Sequence, residues 1–235
     1  MKVSHVLYKT NNLEASFKEF EKLGYKVVYG SRKKPHNALI YFSEGPYIEL
    51  LEKAPVSSFL KAILRLLGKA KVVDRFNSWE NSTEGFFEIC LENNTTNFKK
   101  EEKILAKFKE GYFITNSKRI DVSNRVLKWK LLFPNQIKIP FLMTQFNINP
   151  KPKNFVHPNK IKRIKQISYS TEASIIPVIN ELCNDDILQL FIGKKQVGDE
   201  DFDLAGLFDL GDIIGVDGRL GVTITGELTI FAEKL

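Results

Sequence analysis

Long apolar runs are missing from this chain of 235 residues. No stretch approaches the ~20 consecutive apolar residues that a membrane-spanning helix requires, so we expect no membrane partner. The first residues, MKVSHVLYKT, enter an alternating apolar pattern at once, so we expect no secretory signal. The sequence therefore predicts a cytoplasmic protein.

Cysteine is also scarce, since the chain has two, Cys90 and Cys183. Both lie in apolar surroundings, FEICLE and INELCND. Cysteines in such contexts are typically buried free thiols, and two of them make no disulfide framework.

Nucleic-acid signatures are absent as well: we find no RNP motif, zinc finger or recognition helix. The formal net charge is +7, but residues 199–235 hold nine acidic and two basic residues and carry about −7. Residues 1–198 therefore carry about +14. Their lysines alternate with glutamates between Lys99 and Glu110, which is typical of a solvated helix face. These patterns argue against a nucleic-acid partner.

The most informative segment runs from Ser4 to Leu51. An alternating strand is followed by Asn11-Asn12, which can cap a helix, and by an apolar helical stripe that ends at Gly24. Three strand-like segments follow: Tyr25–Tyr29, Ala38–Phe42 and Tyr47–Leu51. Such a βαβββ unit places His5 on its first strand and Glu49 on its last, so both can face one concave surface.

The pattern recurs further along the chain. FEICLE at 87–92 is followed by Asn93-Asn94, a lysine-rich helix to Lys109 and strands predicted at 126–133 and 139–146. Between the repeats, Ser57–Lys69 predicts an amphipathic linker helix. The predicted boundaries are a first module at 1–56, a linker helix within 57–84 and a second module at 85–149.

A third part follows the proline-rich linker NINPKP. Strand-like Ile161–Ser170, helical Ala173–Cys183 and strand-like Ile187–Ile192 predict a partial βαβ unit of the same domain, at 150–198. Residues 199–235 predict an acidic, β-rich tail with strands at 213–216, 220–223 and 227–232.

The order of these motifs resembles the vicinal-oxygen-chelate superfamily, which contains glyoxalase, bleomycin-resistance and extradiol-dioxygenase proteins. NALIYFSEGPYIELL followed by RFNSW, LKWKLLFPN, IPFLMTQF and FVHPN resembles its glyoxalase-like members, over roughly residues 3–197. The resemblance implies an α+β fold in which paired βαβββ modules form a U-shaped half-barrel cavity. The tail DLGDIIGVDGRLGVTITGELTIFAEKL resembles a fragment of the OB domain of lysyl-tRNA synthetases, too short to close a five-stranded barrel.

The same resemblance implies a divalent metal (Zn, Ni, Mn or Fe) held by the first and last strands of each module. His5, Glu49 and Glu88 fall on three of the ligand positions. The fourth falls on Met143, a poor ligand for a hard cation, so Gln145 on the same face is the expected substitute. Glu49 or Glu88 would then serve as the catalytic base.

Five further residues are expected to contact the substrate: His36, Asn37, Arg125, Trp129 and Phe141. Structural roles remain open for several candidates. His5 can be a hydrogen-bonded core residue, Glu88 can face solvent from a sheet edge, and Arg125 can be a surface charge.

Two functional hypotheses follow. The first is a glyoxalase-like protein that binds a small oxygenated molecule and performs metal-dependent lyase, isomerase or dioxygenase chemistry. The alternative is a metal-free binding or sequestration protein of the resistance type, without catalysis. A tRNA-related role ranks below both because the tail is acidic. The sequence leaves open whether the protein is a monomer or a homodimer.

Overall fold

The computed structural model describes residues 1–152, 155–183, 189–207, 217–222 and 228–234. The chain forms two compact units, Met1–Leu182 and Cys183–Leu235, described separately below. No helix in these described ranges has the length and apolar composition needed to cross a bilayer.

The first unit holds eight strands and five helices in its described residues. In chain order they are β1 (Lys2–Lys9), α1 (Leu13–Lys22), β2 (Val28–Tyr29), β3 (Asn37–Ile40), β4 (Tyr47–Leu51), α2 (Ser58–Leu66), α3 (Ala70–Glu80), β5 (Gly85–Glu92), α4 (Lys99–Lys107), β6 (Tyr112–Ile120), β7 (Val126–Pro134), β8 (Phe141–Met143) and α5 (Ile176–Cys183).

The eight strands form one curled sheet in the order β2-β3-β4-β1-β5-β8-β7-β6. Strands β1 and β5 pair antiparallel at its centre, β4 runs parallel to β1, and β8 runs parallel to β5. The order is symmetric about the β1–β5 pair, so β1-α1-β2-β3-β4 and β5-α4-β6-β7-β8 are two copies of one module. This is the α+β half-barrel of paired βαβββ modules predicted from the sequence.

Local signals fix the start and end of α1. The Asn12 side chain accepts a hydrogen bond from the backbone N–H of Ala15 at 3.0 Å, which satisfies one of the free donors at the helix N-terminus. The helix is followed by Gly24 at φ +81°, a conformation that glycine adopts without strain. Both features were predicted from the sequence.

Helix α3 was not predicted, and it fills part of the concave face of the sheet. Its apolar side chains Val72, Val73, Phe76 and Trp79 are buried in a cluster that contains Leu7, Cys90, Phe133 and Phe141. The linker between the modules thus contributes a helix to the core.

Residues 161–170 have no regular secondary structure, contrary to the predicted strand of a partial βαβ unit. Apolar side chains recur there every third residue, at Ile161, Ile164 and Ile167, so they cannot form one face of a strand with its period of two. The segment runs along the first module instead, where the backbone N–H of Glu44 donates to the Lys162 carbonyl at 3.1 Å. The helix predicted at 173–183 is shorter, as α5.

The second unit contains β9 (Gln189–Phe191), α6 (Lys194–Ala205), β10 (Asp217–Val222) and β11 (Leu228–Lys234). Its sheet order is β10-β11-β9. The strand predicted at 187–192 pairs within this unit, which begins at Cys183, while the acidic tail was predicted from residue 199. Two tail strands occur close to where they were predicted, whereas the one at 213–216 lies outside the described residues.

Candidate functional site

A cavity of about 460 Å³ opens on the concave face of the first unit. Strands from both modules, α2 and α3 supply its walls. Among the lining residues are His5, Leu7, His36, Asn37, Tyr47, Glu49, Trp79, Lys118, Arg119, Trp129, Phe133, Phe141, Met143 and Phe146. Both tryptophans of the chain line this cavity.

His5 and Glu49 form the polar centre of the cavity. The His5 Nε2 atom lies 3.3 Å from a Glu49 carboxylate oxygen, and the Asn37 amide donates to the other oxygen at 2.7 Å. The His5 ring stacks on Tyr47 with their centroids 4.7 Å apart. The structure brings His5, Glu49 and Asn37 together, while the roles predicted for them in metal and substrate binding stay predictions.

Burial lowers the pKa of His5 to about 4, and the positive charge of Arg119 adds to this while Glu49 opposes it. The imidazole is therefore neutral at pH 7. With its Nε2 proton directed at Glu49, the buried Nδ1 atom is an acceptor that has no hydrogen-bond partner among the described residues. Burial also lowers the pKa of His36 at the cavity.

Glu88 lies elsewhere, in an ion pair at the base of α3. One carboxylate oxygen accepts from the Arg75 guanidinium at 3.0 Å and from the Trp79 indole at 3.3 Å, and the other accepts from the backbone N–H of Ile89 at 3.1 Å. Burial raises the pKa of Glu88, and all of these donors oppose that rise. Glu88 does not line the cavity. Its geometry is that of a structural ion pair rather than a ligand or base.

The strand register explains this displacement. In the first module Glu49 pairs with Leu7, two residues after His5. In the second module Met143 pairs with Glu92. The residue two positions before Glu92 is Cys90, so Cys90 and not Glu88 is the counterpart of His5. Glu88 and Met143 cannot both correspond to His5 and Glu49.

The Cys90 thiol is fully buried, and burial raises its pKa well above the ordinary value. Cys90 does not line the cavity, so it adds no ligand beside His5 and Glu49.

Two other predicted site residues also lie outside the cavity. Gln145 is exposed, in a groove with Lys2, Ser4 and Glu92. The Arg125 guanidinium donates to Asp121 at 2.7 Å and to the carbonyls of Asn149 and Pro150. Trp129 and Phe141, by contrast, line the cavity, and their contact with a substrate stays a prediction.

The donor set does not fit the implied Zn, Ni, Mn or Fe ion. His5 and Glu49 supply two donors, whereas such sites need three or four. Among the described residues, no group of three or more His, Cys, Asp or Glu side chains is placed to hold a metal. The positive charge of Arg119 in the same cavity further disfavours a second cation.

Arg119 on β6 is the cavity residue that sequence reasoning missed. Its guanidinium lies 5.8 Å from the centre of the Trp129 ring and 6.0 Å from that of Phe146. In the structure Ser117 and Arg119 are half-buried and their neighbours Asn116, Lys118 and Ile120 are exposed, but TNSKRI at 115–120 shows no alternation of apolar and polar residues that would have predicted this.

Comparison with known proteins agrees with this fold. The family model of the glyoxalase-like domain matches residues 3–175. The chain belongs to this family. It is the glyoxalase-like branch of the vicinal-oxygen-chelate superfamily to which the sequence motifs pointed.

Two solved methylmalonyl-CoA epimerases are among the structures to which parts of this chain are similar. The enzyme from Streptomyces coelicolor, solved with 2-nitronate-propionyl-CoA, is 13% identical, with a TM-score of 0.38 over 62% of this chain and 97% of that one. The enzyme from Mycobacterium tuberculosis is 12% identical, with a TM-score of 0.38 over 61% of this chain and 85% of that one.

A short stretch also matches lysine–tRNA ligase of Staphylococcus aureus. In strain Mu3 the identity is 51% over 47 residues, which is 20% of this chain and 10% of that enzyme. The same values hold for strain N315. The glyoxalase-like chain thus spans a tenth of the length of these curated relatives, and the synthetase-like resemblance of its tail is confirmed as a partial one.

Proposed function

We propose that this glyoxalase-like protein binds a small oxygenated molecule in its half-barrel cavity without a divalent metal. The observation that carries the proposal is where the structure places the residues at the four implied ligand positions. His5 and Glu49 face the cavity, while Glu88 is bound to Arg75 and Gln145 is exposed outside it. The polar groups that remain suit hydrogen bonding to a ligand better than metal chelation.

The walls of the cavity support small-molecule binding. Pockets for such ligands are mostly apolar, with a few polar groups that fix orientation. Here aromatic rings surround a Glu49 carboxylate, a neutral His5 and the Arg119 guanidinium. Acceptors and a cationic donor in one cavity complement a molecule with both hydroxyl and carbonyl oxygens.

A second candidate is metal-free proton transfer, and the His5–Glu49 pair favours it. A carboxylate positioned by Asn37 and His5 can take a proton from a carbon next to a carbonyl, while Arg119 stabilises the resulting oxyanion. Deuterium incorporation at that carbon, followed by NMR and lost in Glu49→Gln, would support catalysis in place of sequestration.

The primary test combines metal analysis with ligand binding on the full chain. We expect well below one equivalent of Zn, Ni, Mn or Fe by elemental mass spectrometry after incubation with each metal and dialysis. We also expect saturable quenching of tryptophan fluorescence by salicylate, a planar molecule with adjacent hydroxyl and carboxyl oxygens.

About one equivalent of metal that is lost in His5→Ala and Glu49→Ala, but kept in the exposed control Glu84→Ala, would overturn the metal-free proposal. Absence of saturable quenching by salicylate and by its neutral amide would count against small-molecule binding in this cavity.

A further inference from the structure

We infer that the cavity selects ligands that carry a carboxylate, and that Arg119 binds this group between Trp129 and Phe146. The inference rests on the proposed function, because it names the chemical class of ligand that the same cavity takes. It concerns a residue that lies outside the metal-ligand positions implied by the superfamily.

Arg119 is held in place by its aromatic neighbours. Its guanidinium contacts the rings of Trp129 and Phe146, at 5.8 and 6.0 Å from their centres. A guanidinium against aromatic rings gains cation–π stabilisation and loses little of its hydrogen-bonding capacity, because its N–H groups lie at the edge of the plane. The side chain is thus positioned before any ligand arrives.

Arg119 forms no ion pair with a carboxylate of the described residues. Within the described part of the chain, no Asp or Glu oxygen lies within 4.0 Å of Arg119. The two nearby candidates are engaged: Glu49 binds Asn37 and His5, and Asp121 binds the Arg125 guanidinium and two backbone N–H groups. The buried Arg119 Nε atom has no acceptor in these same residues.

The hydroxyl of Tyr41 does not supply the missing charge. It lies near Arg119, and burial raises the pKa of Tyr41 to about 12 although the charge of Arg119 opposes the rise. The phenol therefore stays neutral at pH 7. Burying a cation whose Nε–H has no acceptor costs free energy, and a ligand carboxylate would offset that cost by accepting charge-assisted hydrogen bonds from Arg119.

The surrounding rings define the rest of the ligand. Trp129, Phe141 and Phe146 line the cavity beside Arg119, and its volume of about 460 Å³ suits a small planar molecule. An aromatic or similarly flat acid satisfies both the charge and the apolar walls.

The test compares salicylate with salicylamide, which has the same shape without the charge, by quenching of the two cavity tryptophans. Variants Arg119→Met and Arg119→Lys are compared with the control Lys128→Met. Lys128 lies next to Trp129 on β7, is exposed and does not line the cavity. Far-UV circular dichroism and thermal midpoints confirm that each variant folds.

We expect salicylate to bind more tightly than salicylamide, and Arg119→Met to weaken salicylate by about tenfold or more, in line with a charge-assisted hydrogen bond. Salicylamide affinity should change little. Arg119→Lys should recover part of the salicylate affinity, because it keeps the charge and loses the planar fork. Lys128→Met should bind both probes as the parent does.

Equal binding of the two probes by the parent, with no effect of Arg119→Met, would overturn this inference and leave the proposed function standing. A loss of salicylate affinity in Lys118→Met as large as in Arg119→Met would also overturn it, since Lys118 is the other cation lining the cavity. Failure of both probes to bind would contradict the proposed function itself.

Discussion

Replacing Glu88 by Gln tests whether this residue stabilises the fold or serves the site. Arg75 is 1% exposed and its partner Glu88 is 6% exposed. The substitution removes the negative charge and leaves the guanidinium buried with the carbonyls of Pro134, Gln136 and Ile139 as acceptors. The perturbation therefore creates an uncompensated charge in the core, beside α3.

Removal of one partner from a buried ion pair typically costs ~3–5 kcal/mol. The three carbonyls still solvate Arg75, so we expect the lower end of that range, a loss of about 3 kcal/mol in the free energy of unfolding. With a urea dependence of roughly 2 kcal/mol/M, the urea midpoint should fall by about 1.5 M.

Urea denaturation followed by tryptophan fluorescence reports on the first unit alone, because both tryptophans lie in it. The matched control is Asp74→Asn, which breaks an Arg65–Asp74 pair whose side chains are each 51% exposed. Exposed pairs contribute ~0–1 kcal/mol, so its midpoint should move by at most about 0.5 M.

An equal, small shift in both variants would refute the argument that the Arg75–Glu88 pair stabilises the core. A fully stable Glu88→Gln protein that no longer binds salicylate would show instead that Glu88 acts in the site.

Three further predictions follow from the site and its surroundings. Because the pKa of His5 lies at about 4 in the folded chain and near ~6.5 when unfolded, the unfolded state binds the extra proton first. The free energy of unfolding should fall by up to ~3 kcal/mol from pH 6.5 to pH 4. Glu88, whose pKa is raised, contributes in the opposite direction, so the difference in the free energy of unfolding between the parent and His5→Gln isolates the loss that is due to His5. A difference that does not vary with pH would contradict the burial of a neutral His5. In Cys183→Ser, the remaining Cys90 thiol should not react with a thiol reagent until urea unfolds the chain, because it is buried and burial raises its pKa; rapid native labelling would contradict this. Gly30→Ala should destabilise the fold by ~1–3 kcal/mol and weaken salicylate binding, because a Cβ there would overlap the Asn37 amide and lie 3.0 Å from the Arg119 guanidinium. Gly45→Ala, whose Cβ would meet nothing within 4 Å but whose φ of +70° strains an alanine, is a control for salicylate affinity and not for stability, and equal salicylate affinity in both variants would contradict the steric argument.

The sequence by itself determined the module and its repetition. Strand alternation around His5, the Asn12 cap and Gly24 are local features, fixed by backbone geometry within a few residues. The contact between the His5 and Glu49 side chains could also be predicted, because both residues lie on strands of one module and on one face of the sheet. The glyoxalase-like motifs, read in order, were sufficient for the family.

Which residue of the second module corresponds to His5 of the first was decided by the tertiary structure. A shift of two residues along a strand keeps the face of the sheet, so alternation cannot distinguish Glu88 from Cys90 as the counterpart of His5. The β5–β8 register decides between them, and α3 then brings Arg75 to the Glu88 carboxylate. A long-range ion pair of this kind leaves no periodic signal in the sequence.

Arg119 is a second residue whose role the sequence alone does not reveal. In the sequence it is one of many basic residues in a basic chain, and its neighbours Lys118 and Lys128 have the same charge. Only the folding of β6 against β7 places its guanidinium on the Trp129 ring and separates it from every described carboxylate. The sequence shows which residues are charged, but whether a charged side chain has a partner depends on the distances that the fold creates.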